Sequence, residues 1–127
     1  MTYEDLLYEL SKNKNFSICN NEYLPQFFGD FVIEMLYKKR LKVHIINDRG
    51  IIETLIKFQK PFSSVIVPFK YAVNYVQSGD KNIQGQYTFN DVEEAYSFLK
   101  KNCNVLDRII IENLSKLIVN DWKIHNY

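Results

Sequence analysis

Four side chains in the 127-residue sequence have the chemistry of nucleophiles or metal ligands: Cys19, His44, Cys103 and His125. A catalytic thiol requires a histidine base beside it, and no local signature such as a nucleophile elbow surrounds either cysteine. Neither cysteine has a second ligand type at short spacing, so the sequence predicts no metal site. We interpret the histidines as an exposed strand residue and a tail residue, and the cysteines as free, buried or partly buried thiols. A Cys19–Cys103 disulfide is the alternative.

Carboxylates and glycines are the next candidates for chemistry. Asp91, Glu93 and Glu94 cluster where a helix is predicted to begin, and the positive end of the helix dipole stabilises negative charge there. A role in stability therefore explains these carboxylates without acid–base or metal chemistry. The segment 79–81, Gly-Asp-Lys, is similar to part of a phosphate-binding loop, but the helix that such a loop requires does not follow it. We expect no catalytic residue, no cofactor and no enzymatic activity.

A basic patch lies in the first half of the chain. Lys38, Lys39, Arg40 and Lys42 are close in sequence, and Tyr37 beside them has a ring that can stack on a base. This pattern is typical of a small nucleic-acid-binding accessory protein that uses residues 37–42. The formal net charge of the whole chain is only +1, which argues against a dedicated nucleic-acid binder. We therefore favour a solvated hairpin turn and keep nucleic-acid binding as the alternative.

The spacing of apolar residues predicts the elements that position these side chains. Helical spacing over residues 3–12 indicates a first helix, with Thr2 as its cap and Asp5 three residues later. Three segments then alternate between apolar and polar residues and are joined by short loops, which forces neighbouring strands to pair antiparallel. These three predicted strands are residues 31–37, 41–46 and 51–58.

The second half of the chain is predicted to be mainly helical, with a helix from Pro68 to Gln77, a helix that begins at Asn90 with Glu93 completing a capping box, and a last helix over residues 105–123. Residues 16–21 and 65–67 are each ambiguous between a short strand and another conformation, and residues 79–88 are predicted to form a polar loop. Clustered strands and segregated helices indicate an α+β fold. We predict an antiparallel three-stranded, or slightly larger, meander sheet with an N-terminal helix and C-terminal helices packed on one face.

Length and composition limit the classes of protein to consider. A chain of 127 residues fits a single domain, residues 1–127, and 46% hydrophobic with 24% charged residues is ordinary for a globular protein. The N-terminus has neither the basic segment nor the long apolar core of a signal peptide. No apolar run reaches the roughly 20 residues that span a membrane. We expect a cytoplasmic protein that does not insert into membranes.

One stretch of the sequence is similar to a known group of proteins. FGDFVIEMLYKKRLKVHIINDRGIIETLIKF, Phe28 to Phe58, contains a strand, a hairpin, a second strand that ends in an Asp-Arg-Gly turn, and a third strand. This order resembles small bacterial immunity proteins of polymorphic or contact-dependent toxin systems. The resemblance implies stoichiometric inhibition of a toxin domain by direct binding, with no chemistry of its own. Immunity proteins against nucleases are often acidic and this chain is not, which argues against a charge-driven nuclease interface.

The partner-binding residues are predicted from the ends of the hairpins and from the polar loop, because loops on a rigid scaffold usually carry recognition. The predicted residues are Tyr37, Arg40, Asp48, Arg49 and Tyr87, since arginine and tyrosine are favoured anchors at protein interfaces. Residues 48–50 are predicted to form a three-residue hairpin loop, with Gly50 in the left-handed conformation. Such a loop accounts for the glycine and does not require an arginine, so Arg49 is the residue most available for a partner.

Overall fold

The computed structural model describes residues 1–27, 29–58, 64–78 and 86–126. Within these ranges the chain forms five helices and six strands. The helices are α1 (Tyr3–Lys12), α2 (Phe69–Ser78), α3 (Val92–Lys101), α4 (Cys103–Ile111) and α5 (Ser115–Asn126). The strands are β1 (Phe16–Leu24), β2 (Asp30–Tyr37), β3 (Leu41–Asp48), β4 (Ile51–Phe58), β5 (Val65–Pro68) and β6 (Thr88–Phe89).

All six strands belong to one antiparallel sheet, in the order β1-β2-β3-β4-β5. The outer edge of β4 is shared, because β5 pairs with residues 55–58 and β6 pairs with Ile52 and Glu53. The α+β class and the three predicted strands are confirmed, and the sheet is larger than predicted. The added strands were hard to see in the sequence: β1 contains the polar run Asn20-Asn21-Glu22, and β5 and β6 have only four and two residues.

The two faces of the sheet have different surroundings. Alternate residues of the central strands, such as Ile33, Val43 and Ile56, are buried in the hydrophobic core between the sheet and the helices. The ring of Tyr3 in α1 stacks on Tyr23 of β1, which fixes the first helix against this face. No helix among the described residues covers the opposite face. We call that second surface the open face; its central side chains are Val32, Glu34, Leu36, Lys42, His44, Ile46, Glu53, Leu55, Lys57 and Ile66.

Local chemistry explains where α1 and α3 begin. The Thr2 hydroxyl accepts a hydrogen bond from the Asp5 N–H, and the Asp5 carboxylate accepts one from the Thr2 N–H, so the predicted capping box is confirmed. The hydrogen bond from the Thr2 N–H is the largest cause that lowers the pKa of the Asp5 carboxyl, and the Thr2 hydroxyl lowers it further. The predicted cap at Asn90 is wrong by one residue, because Asp91 is the cap and accepts from the Glu94 N–H.

Two other helix boundaries differ from prediction. Pro68 does not open α2, because it pairs with Leu55 as the last residue of β5, and the helix begins at Phe69. The predicted helix over residues 105–123 is two helices, since Asn113 has a φ of 53° and interrupts the chain between α4 and α5. The apolar period continues across this break, so periodicity alone cannot reveal it.

One buried hydroxyl in the core lacks a hydrogen bond. Thr54 lies in β4 opposite Ile45, is fully buried, and its Oγ1 has no hydrogen-bond partner within the described ranges. An unsatisfied buried hydroxyl costs free energy, and replacing it with a methyl group of nearly the same shape removes that cost. We expect Thr54→Val to raise the free energy of unfolding by about 1 kcal/mol, measured by urea denaturation. A loss of stability would mean that the hydroxyl is satisfied in solution.

Candidate partner-binding site

The turn between β3 and β4 holds the most exposed arginine of the predicted site. Asp48 pairs with Ile51, so the loop has two residues, Arg49 and Gly50, and the predicted three-residue loop is wrong. Their φ angles are 55° and 85°, and positive values at both positions are what a tight hairpin of type I′ requires. The Asn47 side chain accepts a hydrogen bond from the Gly50 N–H at 2.9 Å, which holds the turn closed.

A second turn, between β1 and β2, is tied to this hairpin. Asp30 Oδ1 accepts a hydrogen bond from the Arg49 N–H at 2.7 Å, and the Asn47 amide donates to the Gly29 carbonyl at 3.0 Å. These bonds fix the backbone under Arg49 although its side chain reaches into solvent. A partner therefore meets a positioned arginine whose backbone is already ordered, which lowers the entropic cost of binding.

Apolar side chains flank the arginine. Phe27 in the β1–β2 turn and Ile51 at the start of β4 are each 55% exposed. We call this surface the hairpin end, and its members are Phe27, Asp48, Arg49 and Ile51. An exposed aromatic ring, an aliphatic side chain and an arginine on one rigid edge are the kinds of side chain that anchor protein–protein contacts.

Shallow clefts lie on either side of the hairpin end. One, of about 250 Å³, has Leu24, Val32 and Ile46 among its lining residues, with carboxylates from Glu22, Asp30 and Asp48. The other, of about 380 Å³, is lined by Gly50, Ile51, Gln86, Thr88, Phe89 and Asn90. Each cleft has room for side chains of a partner that contacts the turn between them.

Among the described residues, the Arg49 guanidinium has a weak partner, Asp48. Its Nε lies 3.9 Å from Asp48 Oδ1, and the two side chains are 81% and 77% exposed. An ion pair this long and this exposed contributes little free energy, because water screens it and two mobile side chains must be ordered to form it. The guanidinium can therefore exchange this contact for a better one with a carboxylate or backbone oxygen of a partner at small cost.

Tyr37 does not belong to a surface site, which corrects the prediction for this residue. Its ring is in the core, and its hydroxyl donates to Asp107 Oδ1 of α4 at 2.8 Å. Burial, together with this hydrogen bond, raises the pKa of Tyr37. Lys38 is paired with the same carboxylate at 2.7 Å. The basic patch at residues 37–42 thus has no exposed ring from Tyr37 and has one lysine neutralised, which weakens the nucleic-acid alternative.

The structure separates the other predicted partner-binding residues. Arg40 is exposed but lies at the far end of β3, whose eight residues span about 25 Å. Tyr87 is partly buried and makes edge contacts with the rings of Tyr71 and Trp122, at centroid distances of 6.2 and 5.8 Å. Burial raises the pKa of Tyr87. Of the five predicted residues, only Asp48 and Arg49 are neighbours with both side chains exposed.

The predicted polar loop over residues 79–88 falls largely outside the described residues. Residues 79–85, including the Gly-Asp-Lys segment, are not among them, and Thr88 begins β6. Two members of the hairpin end were missed in the sequence. Ile51 is in register with Glu53 and Lys57 in a strand whose residues alternate clearly, which indicates that its side chain faces away from the core. Phe27 lies between Pro25 and Gly29, where an aromatic residue in a turn is a weaker signal.

The cysteines and His44 differ in part from expectation. Both thiols are free, so the disulfide alternative is wrong, and Cys103 is partly buried as expected. Burial raises the pKa of the Cys103 thiol. Cys19 is exposed, because it lies where the β1–β2 register shifts between Ile18 and Asn20. His44 is only 7% exposed, since neighbouring open-face side chains surround it, and that burial lowers its pKa.

Comparisons with protein-family models, with curated proteins and with solved structures gave no match. Within the part of the chain that the structure describes, no group of three or more His, Cys, Asp or Glu side chains is arranged to hold a metal ion. No helix in the same ranges is both long enough and apolar enough to cross a bilayer.

Proposed function

We propose that this chain is a cytoplasmic immunity- or antitoxin-type inhibitor that neutralises a bacterial toxin domain by direct stoichiometric binding. The observation that carries the proposal is the hairpin end, where Arg49 projects from a fixed turn between the exposed side chains of Phe27 and Ile51. This arrangement supports protein recognition because arginine and aromatic residues concentrate binding energy at interfaces. The resemblance of Phe28–Phe58 to immunity proteins adds the class of partner.

Inhibition in this proposal requires no reaction by the inhibitor. The sheet and the two linked turns hold the hairpin end rigid, so little freedom is lost when the toxin binds. Arg49 pairs with a carboxylate or carbonyl oxygen of the toxin, and the clefts beside the turn accept neighbouring toxin side chains. The bound inhibitor then covers the active site or entry surface of the toxin.

The proposal requires a toxin domain encoded beside the gene for this chain, and the test measures binding to that domain by isothermal titration calorimetry. We expect one-to-one binding by the wild type and an affinity loss of about 30-fold or more for Arg49→Ala, which is the loss of about 2 kcal/mol expected of an interface hot spot. The fold of the variant should be unchanged by circular dichroism and thermal melting, because the Arg49 side chain is 81% exposed and its ion pair with Asp48 is long.

Arg40→Ala is the matched control, because it removes the same type of side chain from the turn at the other end of β3. It should bind the toxin domain as the wild type does. Absence of a complex with the wild type at micromolar concentrations would contradict the proposed function. Equal binding by wild type and Arg49→Ala, with weaker binding by Arg40→Ala, would instead move the interface to residues 38–42.

A further inference from the structure

The charges of the open face are divided between its two halves. The strand register places Glu22, Val32, Ile46 and Glu53 in one row across the sheet, near the hairpin end. Glu34, His44 and Leu55 form the middle row. Leu36, Lys42, Lys57 and Ile66 form the row beyond it, toward the turn at residues 38–40. The carboxylates of the open face thus lie in the first two rows, and its two lysines, Lys42 and Lys57, lie in the third row.

Apolar side chains connect the two charged halves. Val32, Ile46, Leu36 and Leu55 are partly exposed, and Ile66 is 43% exposed. None of these five belongs to the hydrophobic core cluster or packs against it, because they lie on the side of the sheet away from the helices. The open face therefore combines apolar contact area with charges of both signs in separate places, which is typical of a surface that binds another protein.

The middle row contains an unsatisfied polar atom. His44 is more than nine-tenths buried, and its Nε2 has no hydrogen-bond partner in the described part of the chain. The charged groups that influence it are Glu34 from β2, Lys42 from its own strand and Lys57 from β4. A buried imidazole without a partner costs free energy in the isolated chain. Covering the open face with a surface that supplies a hydrogen-bonding group would reduce that cost.

The chain itself has a surface complementary to the open face. Consider a two-fold axis that runs parallel to the sheet, perpendicular to the strands, and passes over the middle row. Rotation about this axis places the acidic row of one copy opposite the lysine row of the other. Under this rotation each strand lies over its own counterpart, so Glu53 meets Lys57, Val32 meets Leu36, and Ile46 meets the aliphatic part of Lys42. Two sheets packed with their strand directions roughly aligned form a common protein interface.

We propose that two copies of this chain form a symmetric dimer through their open faces, with the Glu53 half of each copy against the Lys57 half of the other. The width of five strands is about 24 Å and the length of the eight-residue central strands is about 27 Å, so the face measures roughly 650 Å². Stable interfaces bury about 600 to 1,000 Å² from each partner. Glu34 of each copy lies near the axis and opposes its counterpart, so we expect a dimer of micromolar and not nanomolar stability.

This proposal goes beyond the proposed function and does not rest on it. Its partner is a second copy of the chain. Its contact lies on the sheet face and does not use Arg49, although Val32 and Ile46 also line one of the clefts beside the hairpin end. A chain that fails to bind any toxin can still dimerise, and a monomeric chain can still be an inhibitor. The two experiments therefore fail separately.

Charge reversal tests the dimer, with sedimentation velocity measured from about 1 to about 500 µM. The wild type should show a concentration-dependent equilibrium between monomer and dimer. Lys57→Glu should weaken self-association at least about tenfold, because two carboxylates then face each other at each of the two symmetry-related contacts, and Glu53→Lys should do the same with two ammonium groups at each contact. Lys100→Glu, on α3 and away from the open face, is the control and should associate as the wild type does.

Mixing the two single variants gives the decisive result. Two-fold symmetry repeats the Glu53–Lys57 contact, so a Lys57→Glu copy and a Glu53→Lys copy have opposite charges at both contacts. The mixture should form a heterodimer although neither variant self-associates, and one chain with both changes should recover the homodimer. A wild type that stays monomeric throughout the range overturns the proposal, as does a mixture that gains no dimer.

A second measurement requires no variant, in case a reversed charge affects folding. Diluting the ¹⁵N-labelled wild type through the same concentrations should shift the amide resonances of β2, β3 and β4 and leave those of α4 unchanged. Shifts confined to the helices, or no shifts at all, would contradict the dimer that we propose.

Discussion

Replacement of Tyr71 by Phe is expected to lower the free energy of unfolding by about 2 to 3 kcal/mol. The Tyr71 hydroxyl in α2 donates a hydrogen bond to Asp121 Oδ2 in α5, and both residues are buried. The Asp121 side chain is only 8% exposed, so solvent replaces a lost donor poorly. His125 Nε2 lies 3.6 Å from the other carboxylate oxygen of Asp121.

Tyr37→Phe is the matched control for this prediction. Tyr37 is as deeply buried as Tyr71 and also donates to an aspartate on a distant helix, Asp107. The Asp107 side chain is 33% exposed, against 8% for that of Asp121, so water can take the place of the lost donor at Asp107. We expect the control to cost about 1 kcal/mol, with both variants measured by urea unfolding. Equal losses would show that solvation of the carboxylate does not set the cost.

Replacement of Phe69 by Ala is expected to have the largest effect on stability, a loss of about 3 to 5 kcal/mol. Phe69 is fully buried at the start of α2 and packs edge-on against Phe98 of α3, with ring centroids 5.7 Å apart. Removal of the ring leaves a cavity where the sheet meets two helices, and the neighbouring side chains cannot fill it by small shifts. Thermal or urea unfolding measures the loss.

Phe27→Ala makes the same chemical change at the hairpin end and serves as the control. Because the ring is 55% exposed, we expect a change within about 0.5 kcal/mol. The same variant should weaken binding of the toxin domain if the proposed function is right. A large loss of stability for Phe27→Ala would place this ring in the core and remove it from the hairpin end.

The central strands of the sheet were predictable because inward-facing apolar residues alternate with outward-facing residues along them. In β2, buried and partly exposed residues follow one another from Phe31 to Tyr37, and β4 does the same from Ile51 to Phe58. Such a pattern identifies both the strand and its inward face, since a shift of one residue would turn every side chain to the other side. The start of the first helix was predictable for a different reason. Thr2 and Asp5 form a capping box, a pattern that is visible in the sequence.

The remaining differences depend on contacts that are distant in sequence. Strand β6 exists because Ile52 and Glu53 offer it a free edge, and two residues have no pattern of their own. Phe27 and Phe69 are the same residue type, and only the folded chain distinguishes the exposed ring from the buried one. The exposure of Asp48 and Arg49 was predictable, because a hairpin turn at this position does not require an arginine. The burial of Tyr37 was not predictable, because its partner Asp107 is 70 residues away in the sequence.

The order of the strands has a consequence for the rate at which the protein folds. From β1 to β4 each strand pairs with the next along the chain, so Phe16 to Phe58 can form as successive hairpins that close only short loops. Pairings between nearby residues form faster than pairings between distant ones. The β6–β4 pairing and the packing of α4 and α5 must wait for later parts of the chain. A ribosome therefore releases α1 and the complete hairpin series before the helices α2 to α5, which complete the cover of its inner face.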